Sequence, residues 1–429
     1  MKDVLILASF FILSFSDSVA QNSVKSTGVI KEALPESAGV SSERLKRIDQ
    51  VIQQYIDSNW VNGAVVIFLR NGSLIYHKAL GQDDISQKVP LKKDAIFRIA
   101  SQTKAITSLA AMILYEEGKF LLDDPVSKYL PEYKSLRVLE KFNETDSGYT
   151  TVPAKRQITI RDLLTHTSGI DYPSIGSKAM RAIYAKADVP SGIGILNRLL
   201  ATEMKKLAAL PLAHQPGEKF TYGLNTDLLG YLVEIWSGTS LDKFLEQRIF
   251  EPLGMKDTYF NIPKEKQHRL ATLYTEDSLH HLQKSPERQR GLYADYPNRN
   301  STYFSGGAGL SSTAYDYAIF LQMMLNGGRY NGIQIISRAT ARMMTMNQVG
   351  DLNMGTNKFG LGFEINTLKG SAQFPMSEGS FSWGGYFSTT YWADPTEKIV
   401  GQIMTQVTPN SHGELANKFK VLIYQSLIN

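Results

Sequence analysis

A helix that is apolar on almost every side constrains this chain more than any other feature. Apolar residues fill nearly all of the run from Ala105 to Leu114, which closes at Gly118. A helix without a polar face is stable only inside a core, so this run predicts the central helix of the protein. Ser101 and Lys104 precede it, three residues apart, and therefore lie on one face of its first turn.

A serine beside a lysine at the start of a buried helix is a candidate catalytic pair. Serine is a weak nucleophile near neutral pH and needs an adjacent base. A buried lysine can act as that base, because burial favours the uncharged amine. The same spacing also occurs at exposed helix starts, where the serine only caps the helix. The four residues alone leave both interpretations open.

Composition describes an ordinary globular protein of one large domain or two lobes. The chain has 429 residues, of which 43% are hydrophobic and 20% charged, and no cysteine. Disulfides and a thiol nucleophile are therefore excluded, and the absence of cysteine suits an oxidising compartment without requiring it. The formal net charge is only +5, and basic residues occur as doublets such as Lys92-Lys93. This pattern argues against a nucleic-acid partner.

The first twenty residues have the order of a secretory signal. Lys2 precedes an apolar stretch from Val4 to Phe15, and the small residues Ser18-Val19-Ala20 follow. We expect cleavage after Ala20, which leaves residues 21–429 as an exported protein, in the periplasm, without a stable membrane span. The alternative is an uncleaved anchor, for which the apolar stretch is short.

Strand patterns lie near both ends of the chain, and helical patterns lie between them. Gly63 to Leu69 and Leu74 to Ala79 flank Asn71-Gly72, a strong hairpin signal. The other expected strands are Phe359–Ile365, Gly379–Trp383, Tyr386–Ala393 and Ile399–Thr405, and the expected helices include Ile193–Leu200, Asp227–Trp236 and Glu414–Ile428.

This order predicts an α+β fold of two lobes. An antiparallel sheet built from both chain ends and flanked by helices would comprise about 21–120 and 305–429. A mostly helical lobe, about 121–304, would be inserted between them, with a cleft where the lobes meet. The polar stretch 262–300 would lie near the rim of that cleft.

Two later motifs could complete a site with Ser101. Tyr222 stands at a loop-to-helix junction, where a phenol can transfer a proton. The alternative is a half-buried core tyrosine, since the chain has 21 tyrosines. Gly384 and Gly385 interrupt a strand-like run, which indicates close approach of a backbone or ligand and can present a backbone N–H to an oxyanion. The alternative is a β-bulge.

Five motifs stand in one order along the chain: Ser101-Gln102-Thr103-Lys104, Leu163-Leu164-Thr165-His166-Thr167-Ser168-Gly169, Tyr222 followed by Asp227-Leu228-Leu229-Gly230, Gly307-Ala308-Gly309-Leu310-Ser311-Ser312-Thr313, and Trp383-Gly384-Gly385. Together they resemble the serine β-lactamase and penicillin-binding-protein superfamily. Within it they most resemble the class C β-lactamase-like branch that includes the family VIII carboxylesterases. The resemblance runs from about residue 35 to the C-terminus.

The resemblance implies a role for each motif. Ser101 would be the acylated nucleophile, Lys104 and Tyr222 the proton-transfer pair, and the backbone N–H groups of Ser101 and Tyr386 the oxyanion hole. His166 would shape the fold. The residues expected to contact substrate are Trp383, Gly384, Gly385 and Asn225. Neither a metal nor an organic cofactor is expected.

Two departures from the lactamase pattern favour esters as substrates. Class C lactamases carry Tyr-x-Asn, whereas Leu224 holds that Asn position here and Asn225 comes one place later. They also carry Lys-Thr-Gly where this chain has Trp383-Gly384-Gly385, and an indole gives a more apolar wall than an ammonium group.

The leading hypothesis is therefore a secreted serine hydrolase of small carboxylic esters. Two alternatives remain. One is the same chemistry on amides, as in β-lactamases, D-aminopeptidases and D-Ala-D-Ala peptidases. The other is a non-catalytic homologue that binds cell-wall fragments.

Overall fold

The computed structural model describes residues 28–289 and 291–428. The signal peptide expected at residues 1–20 lies outside the described residues.

A nine-stranded sheet is the largest element of the fold. Within the described residues the strands, numbered in chain order, are β1 Lys31–Glu32, β2 Gly63–Arg70, β3 Ser73–Asp84, β4 Val89–Pro90, β5 Phe97–Arg98, β6 Arg137–Phe142, β7 Tyr149–Pro153, β8 Tyr274–Glu276, β9 Leu282–Lys284, β10 Arg288–Gln289, β11 Leu292–Tyr293, β12 Ser311–Ser312, β13 Arg329–Tyr330, β14 Ile333–Gln334, β15 Lys358–Phe359, β16 Glu364–Ile365, β17 Phe381–Gly385, β18 Thr389–Asp394 and β19 Ile399–Met404. The order in the large sheet is β1-β3-β2-β19-β18-β17-β16-β15, and β4 pairs with β3.

The sheet therefore joins the two ends of the chain, as the sequence predicts. The antiparallel pair of β2 with β19 is the junction, where Arg70 is opposite Ile399. One edge departs from the prediction, because β1 runs parallel to β3. The expected strand Phe359–Ile365 is also wrong as a single strand. It is divided into β15 and β16 by a turn in which Gly362 has a φ of +93°.

The helices lie on both faces of the sheet and fill the inserted lobe. In the described residues they are α1 Ser42–Asp57, α2 Thr103–Glu116, α3 Ile160–Leu164, α4 Lys178–Lys186, α5 Leu200–Leu207, α6 Asn225–Ser237, α7 Leu241–Leu245, α8 Glu251–Leu253, α9 Ala314–Leu325, α10 Arg338–Met344, α11 Leu368–Ser371 and α12 Leu415–Tyr424. A π-helical turn, Glu246–Phe250, joins α7 to α8. None of the described helices is both long and apolar enough to cross a bilayer.

Strand β2 is buried on both faces and separates two cores. Val66 and Phe68 pack with α1 and α12, whereas Val65 and Ile67 pack with α2 and the inserted lobe. Every residue of α2 from Thr103 to Leu114 is buried, which confirms the central helix. A strand buried on both faces reads as a continuous apolar run, which is the pattern of β2.

The helix expected over Ile193–Leu200 is wrong. Residues 191–199 form an irregular loop, and α5 begins only at Leu200. Gly192 and Gly194 have φ values of +86° and +64°. These left-handed conformations cannot be part of a right-handed helix, so the two glycines turn the chain towards the cleft.

Candidate active site

Ser101 lies in a tight turn at the start of the central helix. Residues Ala100–Gln102 form a 3-10 turn that leads directly into α2. Ala100 is fully buried and has a φ of +41°, which is rare for a residue with a side chain. Strain of this kind persists only where surrounding packing fixes it, and it is common at functional sites. The turn presents a half-exposed Ser101 to a cavity whose wall also includes Tyr172 and Tyr222.

Lys104 connects Ser101 to the inserted lobe. Its side chain is buried, and Nζ lies 3.3 Å from Ser101 Oγ. Nζ also donates to the hydroxyl of Tyr172 at 2.9 Å and to the carbonyl oxygen of Gly307 at 2.8 Å. These three contacts fix the amine beside Ser101. The predicted Ser101–Lys104 pair is thus in contact.

Tyr222 contributes its ring and hydroxyl to the same centre. Lys104 Nζ lies 4.6 Å from the centroid of the Tyr222 ring. The Tyr222 hydroxyl accepts a hydrogen bond from the indole Nε1–H of Trp383 at 3.3 Å. Tyr222 precedes α6, and Trp383 lies in β17, so this bond crosses from the inserted lobe to the sheet. A half-exposed tyrosine between a lysine and an indole can transfer protons.

Tyr172 is the site residue that the sequence analysis missed. It is buried, contacts Lys104 through its hydroxyl, and packs 5.3 Å from the Tyr222 ring. Burial raises the pKa of Tyr172 well above its usual range, and the neighbouring Tyr222 and Asp227 act in the same direction. The phenol therefore stays protonated near neutral pH. Its only sequence signal is its place just after the Thr167-Ser168-Gly169 turn.

His166 and Asn225 lie behind Tyr222. The His166 ring is buried 4.9 Å from the Tyr222 ring. Its Nδ1 accepts from the Asn225 side-chain amide at 3.0 Å. Burial lowers the pKa of His166 well below its usual range, and the charge on Lys104 adds to that effect. A neutral histidine packed behind the tyrosine fits the structural role expected for it.

The placement of Asn225 corrects its expected contact with substrate. Asn225 is fully buried, and its Oδ1 accepts a hydrogen bond from the Ser168 hydroxyl. It does not line the cavity. Because both ends of the amide are used inside the protein, Asn225 fixes the loop before α6 and has no free group for a ligand.

Asp227 fixes the loop that contains Gly307, whose carbonyl oxygen accepts a hydrogen bond from Lys104. Its side chain is fully buried, and Oδ1 accepts from the Ser305 hydroxyl at 2.7 Å. Burial raises the pKa of Asp227, although the Ser305 hydrogen bond and the charge on Lys104 oppose the rise. A Cβ at Gly307 would lie 2.4 Å from Asp227 Oδ2, so only glycine fits there. Asp227 thus holds the Ser305–Gly307 loop against Lys104.

The end of β17 lies against the nucleophile turn. A Cβ on Gly385 would lie 2.5 Å from the carbonyl oxygen of Ile99, whereas a Cβ on Gly384 would meet nothing closer than 3.3 Å. Gly385 is therefore the glycine required for close approach. The next residue, Tyr386, is 49% exposed and lies on the cavity wall. Trp383 and Gly384 lie in the same strand and are half-buried.

The cavity itself has a volume of about 420 Å³. Ser101, Tyr172, Tyr222, Ala308 and Tyr386 form one part of its wall. Residues from the segments 174–175, 191–193, 273–289, 292–294 and 408–409 complete it. Part of the polar stretch 262–300 therefore does line the cleft. Among the described residues, no group of three or more His, Cys, Asp or Glu side chains is arranged to hold a metal ion.

Comparison with known proteins identifies the family. The model of the β-lactamase family, described as Beta-lactamase, matches residues 48–425. The chain belongs to the β-lactamase family. The predicted membership of the serine β-lactamase and penicillin-binding-protein superfamily is thus confirmed, and this β-lactamase-family protein is a serine hydrolase.

The similar proteins include an esterase, a hydrolase with acyltransferase activity and a protein named as a peptidase. Esterase EstB of Burkholderia gladioli is 30% identical over 366 residues, which cover 81% of this chain and 86% of EstB. A protein of Escherichia coli K12, named provisionally as a D-alanyl-D-alanine carboxypeptidase, is 29% identical over 411 residues, or 90% of this chain and 87% of that protein. The structure of EstCE1, described as a hydrolase with promiscuous acyltransferase activity, superposes with a TM-score of 0.76 at 26% identity and covers 89% of this chain and 99% of EstCE1.

Proposed function

We propose that this β-lactamase-family protein hydrolyses small carboxylic esters through an acyl-enzyme on Ser101. The observation that carries the proposal is the contact of Lys104 Nζ with Ser101 Oγ, at 3.3 Å, on the wall of a cavity that Tyr222 also lines. A nucleophile, an adjacent base and a second proton carrier are the groups that acyl transfer requires.

In each step of the proposed reaction, one proton moves to or from the Lys104–Tyr222 pair. Ser101 Oγ forms a bond to the ester carbonyl carbon, and its proton passes to the Lys104–Tyr222 pair. That pair returns the proton to the leaving alkoxide as the carbon–oxygen bond to the alcohol breaks. Water then attacks the acyl-enzyme, gives one proton to the same pair, and Ser101 regains it as the carboxylic acid leaves. The backbone N–H groups of Ser101 and Tyr386 stabilise the negative oxygen that forms in both steps.

Esters are favoured over amides by the residues around Tyr222. Trp383 occupies the strand position where lactamases place a lysine, and it donates to Tyr222. Asn225 is turned inward and binds His166 and Ser168. The groups that would hold the amide and carboxylate of a β-lactam are thus replaced. The resemblance to EstB, an esterase by name, points the same way.

Amide hydrolysis is the second candidate, and the name of the Escherichia coli relative supports it. Such a substrate would include cell-wall peptides. The non-catalytic alternative is disfavoured, because a binding module has no need of a buried lysine held against a cavity serine. Export to the periplasm, proposed from residues 1–20, is compatible with either substrate class.

Labelling of Ser101 tests the proposal directly. Intact-protein mass is measured after brief incubation with p-nitrophenyl butyrate and, separately, with a penicillin, and the modified peptide is mapped. We expect fast ester turnover together with slow, lasting acylation of Ser101 by the penicillin. If the protein instead turned over penicillin rapidly and did not hydrolyse the ester, the proposed esterase activity would be wrong and the protein would be a lactamase. Ser101→Ala should abolish both reactions while the thermal unfolding temperature stays within a few degrees.

A further inference from the structure

A small apolar cluster forms one wall of the active-site cavity. Four residues both line the cavity and pack together, apart from the two main cores: Ile193, Leu273, Leu292 and Ala294. We call them the side wall. Ala100, which precedes Ser101, belongs to the same apolar cluster. The side wall therefore begins beside the nucleophile and extends away from it.

The side wall is held in a fixed position. Gly194 approaches Leu292 so closely that a Cβ would lie 2.2 Å from its Cδ1. The guanidinium of Arg98, three residues before Ser101, is buried and donates to the carbonyl oxygens of Ala271 and Ala294. The segment that carries Leu273 and Ala294 is thus tied to the strand that leads to the nucleophile. A wall that is already ordered loses little entropy when a ligand binds.

Leu292 and Ile193 remain partly exposed to the cavity. Apolar surface facing water is covered favourably by an apolar ligand group, in proportion to the area removed from solvent. The cavity volume, about 420 Å³, is within the range of pockets that enclose organic ligands larger than an acetyl group.

From this juxtaposition we propose that the side wall is a subsite for an alkyl or other apolar group of the ester, and that Leu292 and Ile193 determine how long that group can be. The inference rests on the proposed ester hydrolysis and adds its substrate class. The apolar group belongs to the acyl part or to the alcohol part of the ester, and the chemistry of recognition is the same for both.

Two substrate series test the subsite. One contains p-nitrophenyl esters of straight-chain acids from two to eight carbons, and the other contains acetate esters of alcohols of the same lengths. In one series kcat/KM should rise about fourfold per methylene until the wall is covered, the equivalent of about 0.8 kcal/mol for each buried methylene. The series that rises identifies which part of the ester binds there.

Matched variants assign the effect to the side wall. Leu292→Asn and Ile193→Asn should each flatten the rising series, so that the ratio of kcat/KM between the eight-carbon and the two-carbon ester falls. Leu279→Asn is the control, because Leu279 is 71% exposed on the β8–β9 turn and does not line the cavity. It should leave the profile unchanged. Two independent positions guard against a variant that fails to fold.

The inference is overturned if both series are flat in the natural protein, or if the asparagine variants keep its chain-length profile. Failure of the proposed function gives a different result, namely no turnover of any ester and an unmodified Ser101.

Discussion

The indole Nε1–H of Trp383 donates a hydrogen bond to the hydroxyl oxygen of Tyr222 across 3.3 Å. An indole can only donate, so the Tyr222 oxygen is the acceptor and its own proton points elsewhere. The hydrogen bond therefore fixes the orientation of the Tyr222 hydroxyl group, and Trp383 is a positioning residue for Tyr222.

Replacement of this donor should slow the chemical step. Trp383→Phe keeps an aromatic ring beside Tyr222 but removes the N–H. We expect kcat to fall about fivefold, since a hydrogen bond contributes about 1 kcal/mol, with KM within about twofold. Steady-state kinetics on p-nitrophenyl butyrate give both values. Trp236→Phe is the control, because Trp236 stacks on Phe120 and does not line the cavity. A change in KM alone would assign Trp383 to substrate contact instead.

Lys104→Met should remove general-base catalysis. Methionine is similar in length but has no amine that could accept the Ser101 proton, and the carbonyl of Gly307 loses its partner. A general base typically contributes about 10²–10⁴-fold, so kcat/KM should fall by that amount. Stopped-flow acylation of Ser101 measures the step itself. The matched control is Lys420→Met, a half-buried lysine over the Trp392 ring, remote from the cavity. Activity within tenfold of the natural protein would assign the base elsewhere.

Two tyrosines contact the amine of Lys104, and their phenylalanine variants should differ. Tyr222→Phe removes the proposed proton carrier and should cost at least 10²-fold in kcat. Tyr172→Phe removes one hydrogen bond to Lys104 and should cost about tenfold or less, because burial keeps that phenol protonated. Parallel kinetics on the two variants decide the assignment. The reverse order of losses would make Tyr172 the proton carrier.

The two glycines of β17 should respond differently to alanine. At Gly385 the added Cβ would meet the Thr389 hydroxyl at 2.3 Å and the Ile99 carbonyl at 2.5 Å, so the strand must move away from the nucleophile turn. Gly385→Ala should lower kcat more than tenfold, since small displacements in an active site are costly. Gly384→Ala has room and should stay within about threefold. Equal losses at both positions would mean that close approach is not the reason for these glycines.

His166 should make the protein sensitive to acid. Burial holds its pKa well below the unfolded value of about 6.5. Below pH 6.5 the unfolded chain binds a proton that the folded chain does not. The free energy of unfolding therefore falls as the pH decreases through about 6.5, and the effect disappears as the pH rises well above that value.

His166→Asn should reduce this decrease. Asparagine tolerates the left-handed backbone at this position, where φ is +56°. Urea unfolding at pH 5.0 and 7.5 measures the difference between natural protein and variant. The same loss between the two pH values in both proteins would exclude His166 as the cause.

The parts of the fold that follow from local pattern were predictable. The central helix follows from its apolar circumference, and β2 with β3 follows from β-branched residues around Asn71-Gly72. The helix over Ile193–Leu200 was wrong because its apolar spacing is helical, whereas Gly192 and Gly194 adopt left-handed conformations. Spacing carries no information on the sign of φ at a glycine, so this loop, which supplies part of the side wall, could not be foreseen.

The sequence predicted only those residues of the candidate site that belong to a recognisable motif. Ser101, Lys104 and Tyr222 were found, and they are together in the structure. Tyr172 was missed because its contact with Lys104 joins positions 68 residues apart, and no local pattern marks it. Asn225 was misplaced because a shift of one residue at the start of α6 turns its side chain inward. The direction of a side chain at the start of a helix depends on the packing around it, which the sequence motif does not show.

The pairing of β2 with β19 has a consequence for how the protein is made. On the side of β2 that faces β19, Arg70 pairs with Ile399, so this edge of β2 stays open until the residues of β19 have been synthesised. Contacts between such distant positions form late and slowly, and an open, apolar edge invites aggregation in the meantime. Strand β17, which lies against the nucleophile turn, also comes from the last part of the chain. The nascent protein therefore cannot complete the proposed site until β17 and β19 are available, and we expect a chain that ends before β17 to be inactive.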